Sequence, residues 1–292
     1  VVPVCFIAIH LTISAESATV SVPASALIYL SAYCLPSVTN ATADGTVAIG
    51  KSALNALTSG ARNVAIGYQT SSALTTGEAN VAIGYQVLNN ASTETDDNVA
   101  IGTYAMSGSI GTEAVNDCVA IGTEAMDGAL DATASGSVAV GRSALGALTS
   151  GAGNVAVGYL ALEDCTLSEG NTAIGYQALA NMEVGNTYGF NTAVGYNSGL
   201  WSLNNQFNTF VGSQAGQGIS GTVHAGDNNT CIGNDAGLLL QGVASSNTFI
   251  GSTAGNVATT AVENTCLGYN CDIEDATATN QVVIGNNVTG TA

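Results

Sequence analysis

A chain of 292 residues with 21 acidic side chains and only three basic ones, Lys51, Arg62 and Arg142, carries a formal charge of −18. Nucleic acid and anionic lipid are held mainly by clustered Lys and Arg, so this balance excludes both as partners. Charged residues make up 8% and hydrophobic residues 46% of the chain, with 36 glycines, which excludes an acidic disordered tail and implies a packed core with many tight turns.

Residues 1–45 differ from everything after them. Val1 to Ser14 contains no Asp, Glu, Lys or Arg, and Cys5, Ile7, Ile9, Leu11 and Ile13 alternate with other side chains at period two. That is a strand pattern with one apolar face, and these residues, with Val4, are the expected assembly residues. A signal peptide is the rival reading of the run, against which stand the lack of a starting Met and of a positive n-region. The run is also too short to span a membrane, so no insertion is expected. A second run, Thr19 to Val22, ends at Pro23, and the apolar stretch from Ala26 to Leu35 fits a strand or a helix. The whole segment reads either as a cap over the first coil or as a strand exchanged into a neighbouring subunit.

From residue 46 to 292 the chain repeats. Val47-Ala48-Ile49-Gly50 returns with its glycine at Gly67, Gly84, Gly102, Gly122, Gly141, Gly158, Gly175, Gly195, Gly212, Gly233, Gly251, Gly268 and Gly285. A fixed period of this size is the signature of a solenoid, in which each repeat is one coil that cannot bury its apolar face alone. The expected fold is all-β, a parallel β-solenoid of about 14 coils. Before each glycine stands a branched aliphatic: Ile49, Ile66, Ile83, Ile101, Ile121, Val140, Val157, Ile174, Val194, Val211, Ile232, Ile250, Leu267 and Ile284. We expect this column to be the core ladder. Two before the glycine comes Ala, from Ala48 to Ala193; three before it comes Val, then Thr from Thr172 to Thr265; four before it comes mostly Asn, as at Asn63, Asn80, Asn154 and Asn208. The pattern predicts a five-residue strand with alternating faces, Val or Thr with Ile on one and Ala with Gly on the other.

After the glycine, Tyr68, Tyr85, Tyr159, Tyr176, Tyr196 and Tyr269 occupy one column, and in-register stacking predicts Asn and Tyr ladders about 4.8 Å apart. Leu54, Leu88, Leu145, Leu162 and Leu179 stand four residues after the glycine, where Gly199, Gly216, Gly237 and Gly255 appear later. Near 195–210 the repeat changes type. Ala gives way to Phe210, Cys231, Phe249, Cys266 and Val283 as Leu gives way to Gly, which predicts compensating repacking inside one solenoid. Turn residues such as Thr58-Ser59-Gly60 put the length variation between repeats into loops. Seven residues follow Gly285, and they make a poor cap.

Searching for chemistry returns little. The seven cysteines include no C-x-x-C pair and the histidines are only His10 and His224, so no metal site is expected. Cys231 and Cys266 lie two coils apart, roughly 9–10 Å, beyond disulfide reach, and read as core fillers. Cys5 with Cys34 is the better candidate for a bridge. Neither histidine has a visible triad partner, and no P-loop or dinucleotide fingerprint occurs, so neither catalysis nor a cofactor is expected. Asp96-Asp97, Glu163-Asp164 and Glu274-Asp275 are the acidic pairs that a glycan-cleaving groove or a calcium loop would use, yet all fall in loops, where solvated acids are the plain expectation. The Thr172 to Thr265 column lacks the second flat Thr column of an ice-binding face.

The repeats resemble a known family. Asn63-Val64-Ala65-Ile66-Gly67-Tyr68-Gln69 and Asn171-Thr172-Ala173-Ile174-Gly175-Tyr176-Gln177-Ala178-Leu179 look like the head repeats of trimeric autotransporter adhesins. Asn208-Thr209-Phe210-Val211-Gly212-Ser213-Gln214-Ala215-Gly216 resembles the related repeats of phage and bacterial tail-fibre proteins. The likeness covers residues 46–285 and implies a left-handed β-roll in a trimeric rod used for adhesion or host attachment. It departs from the adhesins in its longer, less uniform repeats and in showing no heptad stalk or anchor.

Two non-enzymatic roles follow as expectations. In one, the chain is a structural subunit of an extracellular fibre or filament, a trimer or head-to-tail polymer joined through its N-terminal apolar segment and coil ends, because open sheet ends are templates for pairing. In the other, it is the rod of an adhesin or virion tail fibre, with loops around 89–97, 108–117 and 218–228 reading a host-surface glycan or protein. The absence of an aromatic-rich loop patch tips the balance towards the structural role.

Overall fold

The computed structural model describes residues 28–29, 45–91, 94–110, 114–182, 189–222 and 224–291. It is a parallel β-solenoid of about 13–14 coils with essentially no helix. The N-terminal candidates Val4, Cys5, Ile7, Ile9, Leu11 and Ile13, and the Cys5–Cys34 pairing, lie outside the described residues. The chain divides into two compact units, Val1–Gly136 and Ser137–Ala292.

In the first unit, β1 (Ile28–Tyr29), β2 (Val47–Ile49), β3 (Val64–Ile66), β4 (Val81–Ile83), β5 (Val99–Ile101) and β6 (Val119–Ile121) pair in parallel in chain order. Equivalent residues face each other, Val47 with Val64 and Ile49 with Ile66. A single 3-10 turn, Ala132–Ala134, follows, capped by the Asp131 carboxylate on the Thr133 N–H. The second unit holds β7 (Val138–Val140), β8 (Val155–Val157), β9 (Thr172–Ile174), β10 (Thr192–Val194), β11 (Thr209–Val211), β12 (Thr230–Ile232), β13 (Thr248–Ile250), β14 (Thr265–Leu267) and β15 (Val282–Ile284), again parallel and in register.

Strands β2 to β15 are three residues long where five were expected, because a different device takes over at each end. At the front, the buried Asn side chain joins the ladder: Asn63 Oδ1 accepts from the Asn80 N–H at 3.0 Å and from its Nδ2 at 3.1 Å. At the back, the marker glycine turns the chain with φ between 126° at Gly50 and 154° at Gly285. That region excludes side-chain-bearing residues, and a Cβ on Gly158 would overlap the Gly175 carbonyl of the next coil. Hydrogen bonding nonetheless runs through both ends, from the Val47 N–H to the Asn63 carbonyl and from the Gly67 N–H to the Ile49 carbonyl, each 2.7 Å. Beyond the glycine, alternate residues such as Gln86 and Leu88 take left-handed φ of 52° and 49°, and each donates to an adjacent coil, Gln86 to Tyr68 and Leu88 to Ala105. Left-handed backbone is unfavourable by about 1–2 kcal/mol per ordinary residue, so it persists here because coil-to-coil bonds hold it.

The expectation for the aliphatic column is corrected. Period two gives each strand one inward and one outward face, and the inward residue is the middle one. Ala48, Ala65, Ala82, Ala100, Ala120, Ala139, Ala156, Ala173 and Ala193 are fully buried or nearly so. Ile49, Ile66, Ile83, Ile101, Ile121, Val140, Val157, Ile174, Val194, Val211, Ile232, Ile250, Leu267 and Ile284 all keep solvent exposure, reaching 41% at Ile174 and 67% at Ile284. They therefore do not line the interior. The lumen is narrow because Leu54, Leu57, Leu88, Leu145 and Leu162 reach into it from the opposite corner, leaving room only for a methyl on the strand.

In later coils the same volume is divided differently. Phe210 replaces Ala on β11, and its ring occupies the space that a side chain at Gly199 or Gly216 would need. Phe249 on β13 does the same against Gly237 and Gly255. Large and small have exchanged sides within one lumen, which conserves volume without strain.

The Asn ladder makes a sharp prediction. Asn191 Oδ1 accepts from the Asn208 N–H and Nδ2, while its own Nδ2 donates to Asn171 Oδ1 and the Asn205 carbonyl. Asn191→Ala orphans these buried groups and should lower stability by on the order of 3–5 kcal/mol, read from the denaturant midpoint. A change under about 1 kcal/mol would mean that water replaces the amide.

Candidate assembly surface

With the middle residue turned inward, each strand from β2 to β15 presents its first and third residues to solvent. In the second unit this outward stripe runs through Val138, Val155, Thr172, Thr192, Thr209, Thr230, Thr248, Thr265 and Val282 beside the aliphatic column, and it contains no charged residue. At about 4.8 Å per strand and ~7 Å between the columns, its nine strands cover an order of 300–400 Å². That is the size of the largest apolar patch on an ordinary monomer, and such patches are often functional.

The tyrosines continue the same face past the glycine corner. Tyr68 and Tyr85 stack with centroids 5.3 Å apart and planes 8° from parallel, and Tyr104 meets Tyr85 edge-on. Tyr159, Tyr176 and Tyr196 form a second stack with centroids 5.2 Å apart. Lys51 Nζ lies 5.8 Å from the Tyr68 centroid, a cation over the end of the first stack. Burial, then the neighbouring Tyr104, pushes the Tyr85 phenol above its ordinary pKa, so it stays protonated at neutral pH. A second aromatic pair was missed in the sequence. Phe190 and Phe207, each about half exposed and with left-handed φ of 60° and 59°, stack with centroids 5.6 Å apart just before β10 and β11.

The acidic pairs are placed individually, and Asp96 and Asp275 serve the backbone. Asp96 Oδ1 accepts from the Glu78 N–H at 2.7 Å, and the Asp96 N–H donates to Asn116 Oδ1 at 2.8 Å, a second side-chain ladder beside the Asn column. Asp97 is exposed. Asp275 caps the Thr277 N–H and hydroxyl, and those bonds hold its carboxyl below the usual range. Glu274 accepts from Gln281 Nε2. Glu163 and Asp164 are pushed up chiefly by partial burial. Among the described residues no three His, Cys, Asp or Glu side chains come together as a metal site, and no helix is long and apolar enough to cross a membrane. Of the loops proposed for recognition, 89–97, 108–117 and 218–228 lie partly outside the described residues.

The cysteines Cys118, Cys165, Cys231, Cys266 and Cys271 are buried thiols outside any disulfide. Burial raises the Cys231 thiol far above its ordinary pKa and the Cys165 thiol to about 11, which leaves both unreactive. His224, read in the sequence as partnerless, sits inside a coil. Its ring lies 6.0 Å from that of Phe210, and its Nδ1 is 3.1 Å from Asn205 Nδ2, one coil earlier. Ser202 Oγ, Asn205 Oδ1 and His224 Nε2 are buried without hydrogen-bond partners. Only the coil register, counted across loops of unequal length, would have connected them.

Comparison of the chain with models of known protein families and with curated proteins finds no match.

The buried imidazole couples stability to pH. Desolvation lowers the His224 pKa from 6.5 to about 4, so the fold holds it neutral while the unfolded chain protonates it normally. Between those values the unfolded state binds more protons, so stability falls as pH drops from 6.5 to 4 and levels off below. The expected loss is roughly 3 kcal/mol. Half-buried Asp127 and Asp272, and the more exposed Asp164, whose carboxyls are all held up chiefly by desolvation, act in the opposite sense in acid. Comparing the parent with His224→Gln isolates the histidine: the variant should lose this step in a stability-against-pH curve, and identical curves would show that His224 is solvated.

Proposed function

We propose that the chain is a non-enzymatic structural subunit of an extracellular fibre or filament, whose coils associate side by side through the outward Val/Thr and Ile/Val stripe. One observation carries this reading. The coil closes its interior mainly with Ala, Leu, Phe, Met and Cys, leaving an uncharged outward stripe of Ile, Val and Thr with no use inside the chain. Such a face is hidden most simply by the same face of another copy, since an isologous or cyclic contact is self-complementary. The resemblance to trimeric adhesin repeats points the same way, and the low charge and small polar loops suit an extracellular setting. Val4 to Ile13 remain the proposed end-joining segment; deletion of residues 1–14 should shorten filaments seen by electron microscopy without dissolving the lateral contact.

A second reading rests on Phe190 and Phe207. Two stacked phenyl rings held half in solvent suit a rod that grips a host-surface glycan or protein. It gains support if Phe190→Ala with Phe207→Ala leaves assembly intact and abolishes adherence.

The lateral contact is tested by contrasting neighbours on β9. Ile174→Asp places a carboxylate in solvent on a separate chain but inside an interface on an assembled one. It should keep the parent's circular dichroism, shift stability by less than about 1 kcal/mol, and sediment as monomer. Ala173→Asp buries the charge in the lumen and should unfold the chain. A parent that is monomeric at every concentration, or an Ile174→Asp variant that still assembles, would sink the proposal.

A further inference from the structure

The tyrosine stacks have a chemical consequence that does not depend on the fibre reading. Their rings are parallel to within 19° and their centroids are 5.2–5.3 Å apart. Exposure runs from 38% at Tyr68 to 53% at Tyr196, so an oxidant reaches each phenol. Among the described residues, the sulfur side chains that would compete are shielded. Cys118, Cys165, Cys231, Met106 and Met126 have no exposed surface. Register makes the arrangement permanent, because adjacent strands fix the distance between equivalent residues.

We infer that these stacks are sites of oxidative modification, in which a one-electron oxidant of the haem-peroxidase class, driven by hydrogen peroxide, couples stacked tyrosines into dityrosine. Each phenol gives up one electron and its hydroxyl proton, leaving a phenoxyl radical with spin density on the ring carbons ortho to oxygen. Two neighbouring radicals form one ortho–ortho carbon–carbon bond. Each linked carbon then passes its hydrogen to the phenolic oxygen, restoring aromaticity. One hydrogen peroxide accepts the two electrons and two protons and leaves as two waters. The ring tilt that bond formation requires is open to side chains with one edge in solvent, and the strands need not move. The product staples adjacent coils along the outer edge.

The chain supplies its own controls. Tyr269 occupies the same column but lies between coils carrying Ser252 and Asn286, so it has no ring to couple with. Tyr104 faces Tyr85 edge-on at 87°, away from the parallel approach.

The full-length chain, treated at high dilution with a haem peroxidase and hydrogen peroxide, should develop dityrosine fluorescence. Peptide mass spectrometry should then locate links at Tyr68–Tyr85, Tyr159–Tyr176 and Tyr176–Tyr196, each lighter by one hydrogen molecule, with Tyr269 unlinked. Tyr176→Phe keeps the ring and the packing and should remove both links of the second stack while sparing the first; Tyr85→Phe should do the converse. Circular dichroism matching the parent verifies that either variant is folded. Mixing nitrogen-isotope-labelled and unlabelled chains separates links within a chain from links between chains. Links that join labelled to unlabelled peptides, links at Tyr269 in equal yield, or oxidation without links would each overturn the inference.

Discussion

The constraint on which the rest depends is the buried asparagine column. One side-chain amide satisfies four groups at a place where the backbone alone cannot, because the chain is turning from loop into strand. Asn247 Oδ1 takes the N–H and Nδ2 of Asn264, and its own Nδ2 reaches Asn229 Oδ1 and the Ala261 carbonyl ahead. These bonds form only when successive coils are in register, so the ladder fixes the strand and leaves the loops free to vary in length. The variation between repeats therefore costs little. Where the column carries another residue the bond survives in reduced form, as when the Cys118 N–H donates to Asn98 Oδ1. A fully satisfied buried polar network of this kind specifies a single arrangement more strongly than apolar packing does.

Register then decides what lies inside. Stacked coils leave a lumen of nearly constant width, filled from the strand on one side and from the left-handed corner on the other. The two sides trade volume: Ala with Leu in early coils, Phe with Gly around Phe210 and Phe249. Because small residues suffice on the strand, the branched aliphatics are displaced outward. The outward Ile/Val and Thr stripe is thus a by-product of how the coil closes, and both follow from one packing constraint.

Most of the fold was legible in the sequence, since a glycine returning every 17 to 21 residues with Ala and Ile before it admits few architectures. The face assignment was not. Alternation says that two faces exist but not which is interior, and the common association of Ile with cores favoured the wrong one. The chain did contain the discriminating signal: Ala changes to Phe in the coils where Leu changes to Gly, so those two columns must share a space. Of the candidate surface, the tyrosine ladder was readable from position alone. Phe190, Phe207 and the Asn205–His224 pair were not, because they sit in loops of unequal length, where counting residues from the glycine fails. Asp96 was hidden in the same way, since in a loop it looks like a solvated acid.

If the stripe is the proposed lateral contact, building it one coil at a time gives association a threshold. Each coil adds one partly exposed aliphatic side chain with a Val or Thr beside it, worth about 1 kcal/mol when covered at ~25 cal/mol per Å². Bringing chains together costs an estimated 4–15 kcal/mol in lost freedom, whatever the length of the stripe. A few coils therefore cannot hold a partner, whereas the nine strands of the second unit approach or exceed the cost. Stability within a chain scales in the same way, through nearest-neighbour contacts between coils. The number of repeats thus sets both the endurance of the solenoid and its tendency to associate. Substitutions in the outward columns tune association almost alone, while those in the Asn, Ala and Gly columns strike the fold.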